Sequence, residues 1–202
     1  MVKRLSYFLM FMIILTLTVA TVAGAGTVDV RVDTEADDAE EAPSGDIDKT
    51  SSDLELIRDG SDLQTVGIRF NSIGIPQGAT ITEAYIQFKV DETNSGSTSV
   101  TFRGQDAGNA AAFTTSDYNL SSRGQTAASA SWQPVAWDTV GEAGSEHRSP
   151  DLSSIIQEIV DRGDWSSGNA IAILVSGSGE RTAESYNGDS SGAPLLHVDW
   201  IQ

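Results

Sequence analysis

The sequence predicts an all-β protein: an antiparallel β-sandwich of the jelly-roll type with one amphipathic helix packed on it. Three observations support this fold class. About eight short segments alternate apolar and polar residues with period two, and turn-forming residues separate them. Only one stretch has the 3.6-residue period of a helix. The chain contains no cysteine, so a buried core or a bound ion must stabilise it without disulfides.

The predicted strands begin with VDVRV, in which Val28, Val30 and Val32 alternate with charged residues. AIAILVSG is apolar on both faces, which predicts a central strand. In ITEAYIQFKV the alternation predicts one face in the core and one in solvent. The predicted strands after the first are 53–56, 66–70, 81–90, 99–106, 170–177, 184–187 and 195–201.

The single predicted helix lies in SPDLSSIIQEIVDRGDW. Ser149 is the expected N-cap, Pro150 the first helical residue and Gly163 the stop signal. The apolar stripe of this helix has the spacing i, i+3, i+4, i+7, i+8: Leu152, Ile155, Ile156, Ile159 and Val160. The stretch 106–146 is rich in small and polar residues, which predicts long loops with one or two strands.

The N-terminus has the features of a secretory signal peptide. Lys3 and Arg4 precede an apolar run, and small residues up to Ala25 offer a cleavage site. We therefore expect residues 1–25 to be a signal peptide and residues 26–202 a single β-sandwich domain, secreted to the extracellular space or cell surface, with no membrane segment after cleavage. An uncleaved N-terminal anchor is the alternative.

The chain is strongly acidic, with a formal net charge of −17. Removal of Lys3 and Arg4 with the signal leaves a charge of about −19. Nucleic acid is excluded as a partner, because affinity for phosphates comes from Lys and Arg.

Carboxylates are concentrated near the start of the predicted domain. DTEADDAEEAPSGD holds seven of them and no cation. One interpretation is a solvated charged face; the other is a calcium site, because Ca²⁺ takes six to eight oxygen ligands. An acidic turn after the first strand, and two acids on one face of the next, predict these ligands: Asp37, Asp38, Glu40, Glu41, Asp53 and Glu55.

Several blocks of the sequence resemble a secreted jelly-roll module of bacterial and archaeal cell-surface proteins. These blocks include SSDLELIRDG, QTVGIRFNSIGIPQGATITEAYIQFKVDE, GNAIAILVSGSGERTAESYNGD and APLLHVDW. The strand pair IPQGATITEAYIQF is similar to that of jelly-roll carbohydrate-binding modules. The resemblance implies a structural calcium between the first strands and the chain end, with Glu184, Asp189 and Asp199 as further candidate ligands.

The motifs that resemble catalytic or zinc sites do not have the structural context that those sites need. Residues 188–192 match G-x-S-x-G but precede a strand, whereas the hydrolase motif opens a helix. His147 and His197 lack the spacing of a helical zinc motif. We therefore expect a protein that is not an enzyme.

Four aromatic residues are candidates for a sugar-stacking surface, with packing in the core or in loops as the alternative. These weak ligand-binding candidates are Tyr118, Trp132, Trp137 and Trp165.

These observations predict a non-catalytic, calcium-binding module at the cell surface, which binds a polysaccharide, a surface glycan or the matrix in adhesion. An alternative is a structural subunit that self-associates into an extracellular filament, by strand addition through its N-terminal strand. A glycan-active enzyme is a third possibility, since acids suited to glycoside cleavage are abundant.

Overall fold

The computed structural model describes residues 24–202. Its secondary structure is almost entirely antiparallel β, with one α-helix, as the sequence predicts. The predicted signal peptide, apart from its last two residues, lies outside the described residues. Among the residues that are described, no helix is long and apolar enough to cross a membrane.

The strands are short and follow one another closely along the first half of the chain. They are β1 (Ala25–Arg31), β2 (Asp38–Glu41), β3 (Ile47–Asp48), β4 (Asp53–Glu55), β5 (Arg58–Asp59), β6 (Asp62–Leu63), β7 (Thr65–Phe70), β8 (Thr80–Gln87), β9 (Val90–Glu92) and β10 (Ser99–Gly104). The second half contains β11 (Ala130–Trp132), a 3-10 helix (Ser145–His147), α1 (Ser153–Val160), β12 (Ile171–Ser178), β13 (Thr182–Glu184) and β14 (Leu195–Ile201).

Three sheets enclose the core. One has six strands in the order β11-β10-β12-β7-β2-β3. The other two have three strands each, β1-β14-β8 and β4-β13-β9. Between them lies one large apolar cluster, to which every long strand contributes alternate side chains, among them Phe70, Ile86, Phe102, Ile173 and Leu196.

β12 is central and buried on both faces, as its apolar sequence predicts. Ile173 and Val175 point into the main core. Ala172 and Leu174 point the other way, into a small cluster that the loop residues Phe113 and Leu120 complete. The long loops predicted for 106–146 therefore cover the outer face of the six-stranded sheet.

The helix is shorter than predicted and begins at Ser153. The predicted N-cap, Ser149, instead accepts a hydrogen bond from the backbone N–H of Ile86 at 2.9 Å. The N–H groups of Ser149 and Leu152 donate to carbonyls of β8. Hydrogen bonds to β8 hold residues 149–152 beside that strand, so the helix does not start there, and Asp151 caps the Ser153 N–H.

Two other local predictions were wrong. Asp38–Glu41, expected in a turn, forms β2 and pairs with β7. The predicted strand 184–187 is a turn after Glu184, and the strand lies earlier, at Thr182–Glu184. In both cases pairing with a distant partner decides the local conformation, which single-sequence periodicity does not report.

Two arginines organise the irregular segments. Arg123 donates to the carbonyls of Ala111, Ala112 and Asn119 and lies 4.6 Å from the centre of the Phe113 ring. Arg181 is almost fully buried. Its donors bind the following acceptors: the carbonyls of Pro134, Val135 and Glu180, and the hydroxyl of Thr98.

Candidate functional site

The acidic segment Asp37–Glu41 is buried, and each of its carboxylates has a separate partner. Asp37 pairs with Arg69 and also accepts from Asn71 and from Thr34, the last at 2.8 Å. Because a cation and two further donors already occupy its oxygens, Asp37 fixes the start of β2 against β7.

Asp38 and Glu41 accept backbone hydrogen bonds. The Tyr186 N–H donates to Asp38 Oδ2 at 2.7 Å. Burial raises the pKa of Asp38 to about 6 against the opposing effect of that bond. On the other face of β2, Glu41 Oε2 accepts from Leu120 at 2.7 Å and from Ser121 at 3.0 Å, which anchors the covering loop.

Glu40 faces Glu55 across the gap between β2 and β4. The Glu55 N–H donates to Glu40 Oε1 at 2.7 Å. Burial, followed by the neighbouring Glu55 carboxylate, raises the pKa of Glu40, and burial also raises the pKa of Glu55. The pair as a whole therefore holds a proton between its two side chains.

Carboxylates gather closely enough to hold an ion at sheet β4-β13-β9. Asp53, Asp91 and Glu92 each place an oxygen within 4.8 Å of the others. Leu54 and Ala183 of this sheet point into the core. Asp53 therefore points outward, and a register shift of β9 against β13 brings Asp91 and Glu92 to the same place.

Thr182 adds an unsatisfied group to this cluster. It lies in register between Glu55 of β4 and Glu92 of β9, on the face opposite Ala183. The residue is 1% exposed, and its hydroxyl has no hydrogen-bond partner among residues 24–202. A buried hydroxyl without a partner carries a desolvation cost that a ligand would remove.

The cluster is poorly neutralised. Lys89 approaches Glu184 at 3.5 Å, but its closer partner is Asp189, at 2.6 Å. Within the described part of the chain, Asp53, Asp91 and Glu92 form no ion pair with Lys or Arg. Burial, with the neighbouring Asp53, raises the pKa of Asp91.

The three candidate ligands that the resemblance implied lie in three different environments. Glu184 lies opposite Asp53 at the edge of the cluster. Burial, with the Asp91 charge, raises the pKa of Glu184. Asp189 is held by Lys89, and this hydrogen bond lowers the pKa of Asp189. Asp199 lies on another sheet, in a second group with Glu83 and His197.

The six acids predicted from the N-terminal segments therefore do not meet at one point. Asp53 is in the ion-sized cluster and Glu55 is beside it, whereas Asp37, Asp38, Glu40 and Glu41 satisfy backbone or side-chain groups along β2. The alternative of a solvated face does not describe β2, because all four of its residues are buried.

The aromatic candidates divide by exposure. Trp137 and Trp165 are 0% and 2% exposed, so neither can stack on a sugar; both are core residues. Trp132 is half-buried, stacked on Phe88 at 5.9 Å. Tyr118 is 50% exposed and is the one candidate whose ring is accessible over a large area.

An open groove of about 490 Å³ is lined in part by the loop that follows β9. Its lining includes Ser95, Ser97, Ser99, Gln133 and Ser178. The loop that carries the first of these follows directly after β9, and Asn94 in it accepts from the Thr182 N–H at 2.9 Å. The groove and the cluster thus share one structural element.

Sequence reasoning missed Asp91, Glu92, Glu83, His197 and Thr182 as site residues. KVDETN showed two acids at the end of a strand, and LHVDW showed a histidine and an acid two apart on one face. Neither signal reveals the partner strands, because β9 and β4 meet only through β13.

Comparison of the chain with models of protein families and with curated proteins finds no match.

Proposed function

We propose that this protein is a secreted, non-catalytic, calcium-binding module of the cell surface, which binds polysaccharide in adhesion or matrix contact. The observation that carries the proposal is the outward cluster of Asp53, Asp91 and Glu92, with the unsatisfied hydroxyl of Thr182 on the residue paired with Glu92 in the same sheet. The available donors are all oxygens, the ligand type that Ca²⁺ prefers.

The charge balance supports a bound divalent cation. Three carboxylates so close together repel one another, and no Lys or Arg in residues 24–202 pairs with them. A doubly charged ion would remove this repulsion and provide a partner for Thr182. Glu184, opposite Asp53 in the same sheet, would add a further oxygen.

Calcium would also act on the groove. Glu92 is three residues before Ser95, and Thr182 is hydrogen-bonded to the loop between them through Asn94. An ion held by β9 would therefore stiffen one wall of the groove. Hydroxyl and amide groups on that wall are suited to hydrogen bonding with sugar hydroxyls.

The carboxyl pair most similar to a catalytic pair does not favour an enzyme. Glu40 and Glu55 share a proton, but Glu40 is 5% exposed and its oxygen is bonded to a backbone N–H. A polysaccharide cannot reach this pair, so we assign it to the connection of β2 with β4.

The test combines thermal melts with binding to a polysaccharide array, each in calcium and in chelator. Calcium at a hundredfold excess over its Kd should add about 2.7 kcal/mol of stability, which is about 5 to 10 °C in Tm for a domain of this size. The same addition should turn on binding to the array. Asp91→Asn should lose both effects.

Glu35→Gln is the matched control, because Glu35 is an exposed acid of the same region without a hydrogen-bond partner among the described residues. This variant should respond to calcium as the wild type does. If the wild-type Tm is the same in calcium and chelator, the calcium site is wrong; if calcium stabilises but no glycan binds, the binding role is wrong.

A further inference from the structure

The exposed face of sheet β1-β14-β8 carries a second group of ligand atoms, separate from the acidic cluster. Glu83, His197 and Asp199 each place one ligand atom within 4.8 Å of the others. Asp199 lies directly opposite Glu83 in the register of β14 and β8, and His197 is two residues away on the same face. Three adjacent positions of a rigid sheet thus present one nitrogen and two carboxylates together.

The orientation of His197 is fixed on both sides of the ring. Its Nδ1 lies 2.8 Å from Asp29 Oδ1 on the neighbouring strand β1. The Tyr85 ring stacks on the imidazole with centroids 4.7 Å apart and an interplanar angle of 21°. With Nδ1 against the Asp29 carboxylate, the other ring nitrogen, Nε2, lies on the Asp199 side of the ring.

This arrangement matches the usual surroundings of a metal-binding histidine. Such histidines donate their other ring N–H to a carboxylate, which fixes the tautomer and raises ligand basicity. Asp199 is prepared similarly: the Thr27 hydroxyl donates to its Oδ1, which leaves Oδ2 toward the histidine. Asp29 and Thr27 are therefore positioning residues for the two ligands.

The spacing suits a shared ion better than a direct bond. His197 Nε2 and Asp199 Oδ2 are 3.7 Å apart, too far for a hydrogen bond. Two ligands at about 2.0 to 2.2 Å from a tetrahedral zinc ion lie about 3.4 Å apart. A shift of a few tenths of an ångström would bring both onto one ion.

The electrostatics also favour a cation. Glu83 and Asp199 are like charges directly across a strand pair, an arrangement that destabilises a sheet. In the part of the chain that the structure describes, Asp29, Glu83 and Asp199 form no ion pair with Lys or Arg. Arg148 is nearby, but it lies over the Tyr85 ring and donates to Gln87.

We propose that Glu83, His197 and Asp199 bind one divalent transition-metal ion of the zinc class on the exposed face of sheet β1-β14-β8. The mixed nitrogen and oxygen donors distinguish this site from the oxygen-only cluster at β4-β13-β9. The fourth position of the ion faces solvent and is open to water or to a donor from a partner. The inference is independent of the proposed calcium site.

Zinc titration by calorimetry in excess calcium tests the proposal, since calcium fills oxygen-only sites. The wild type should bind one zinc ion. His197→Ala should weaken that binding by more than about 100-fold, and Asp29→Asn by about 10- to 100-fold. Asp91→Asn, which alters the other cluster, and Glu35→Gln, which changes an exposed acid outside both clusters, should bind as the wild type does.

Cobalt provides a second readout, because four-coordinate Co²⁺ absorbs strongly in the visible range. The wild type should show this absorption, and zinc should displace it; His197→Ala should not show it. Melts of each variant without metal check that the variants are folded. Absence of saturable zinc binding by the wild type, or wild-type affinity in His197→Ala, would overturn the site.

Discussion

At the scale of single residues, this protein satisfies its buried carboxylates by three different means. Asp37 uses a guanidinium, Glu41 uses two backbone N–H groups, and Glu40 uses a proton shared with Glu55. Asp38 is the least compensated of the strand, with one backbone donor and a pKa raised by burial to about 6. The acids of this segment are therefore buried structural residues, and each has a different partner.

The raised pKa of Asp38 predicts a pH-dependent stability. Because the folded state binds this proton more tightly than the unfolded state, Asp38 contributes stability below its unfolded pKa of about 4 that is lost as the pH rises through about 6. The difference is of order 3 kcal/mol. Asp38→Asn keeps an acceptor for Tyr186 and should reduce the loss of stability between about pH 4 and pH 7.

Urea unfolding across that range, in chelator, measures the effect. Glu40 also has a raised pKa and the same sign, so the quantity of interest is the difference in slope between wild type and Asp38→Asn. Glu35→Gln should retain the wild-type slope. Equal slopes for wild type and Asp38→Asn would show that folding does not raise the pKa of Asp38.

At the scale of elements, the helix illustrates how packing requires a particular residue. α1 packs against β8 and β10, and its Ile155 and Ile159 lie over Gly104 of β10. A Cβ at Gly104 would be 2.7 Å from Ile159 Cδ1 and 2.9 Å from Ile155 Cγ2. Glycine thus sets the distance between the helix and the sheet.

Gly104→Ala should destabilise the protein by about 1 to 3 kcal/mol, because the extra methyl overpacks the interface between α1 and β10. Gly124→Ala is the control, since nothing lies within 4 Å of a Cβ at that position. Urea midpoints at constant m-value give the comparison. A Gly104→Ala midpoint equal to that of the control would mean that the helix moves away without cost.

The same elements show what the sequence could and could not predict. The long strands and the all-β class could be predicted from the period-two alternation, because each long strand has one face in the core. β2 could not be predicted: DAEE has the composition of a loop, and it forms a strand because it pairs with β7 and because backbone N–H groups far along the chain donate to its acids. The site residues Asp53 and Asp91 are brought together by β13, a contact between segments far apart in the chain.

At the scale of the whole molecule, the first strand and the total charge act on self-association. β1 pairs with β14 over its full length, so it is already a member of its own sheet. Its other edge is unpaired among the described residues, which is the feature that would serve strand addition. Opposing it is a charge of about −19 for the chain without Lys3 and Arg4.

We expect the domain of residues 26–202 to be monomeric at low ionic strength, because charge repulsion and the completed pairing of β1 both disfavour strand addition. Sedimentation velocity in chelator and in calcium, with negative-stain microscopy of the same samples, measures this. Fibres that form only in calcium would contradict the monomer and support the alternative function as a filament subunit.

Two guanidinium groups that organise loops, those of the half-buried Arg123 and the buried Arg181, constrain how this sequence can change. Each holds several loop carbonyls at once through a planar fork, which a lysine ammonium cannot reproduce. Exposed positions can exchange basic for acidic residues. A change of Arg123 or Arg181, in contrast, would leave several loop carbonyls without their hydrogen-bond donors. A related sequence could therefore lose other basic residues and become still more acidic, but it should keep these two arginines.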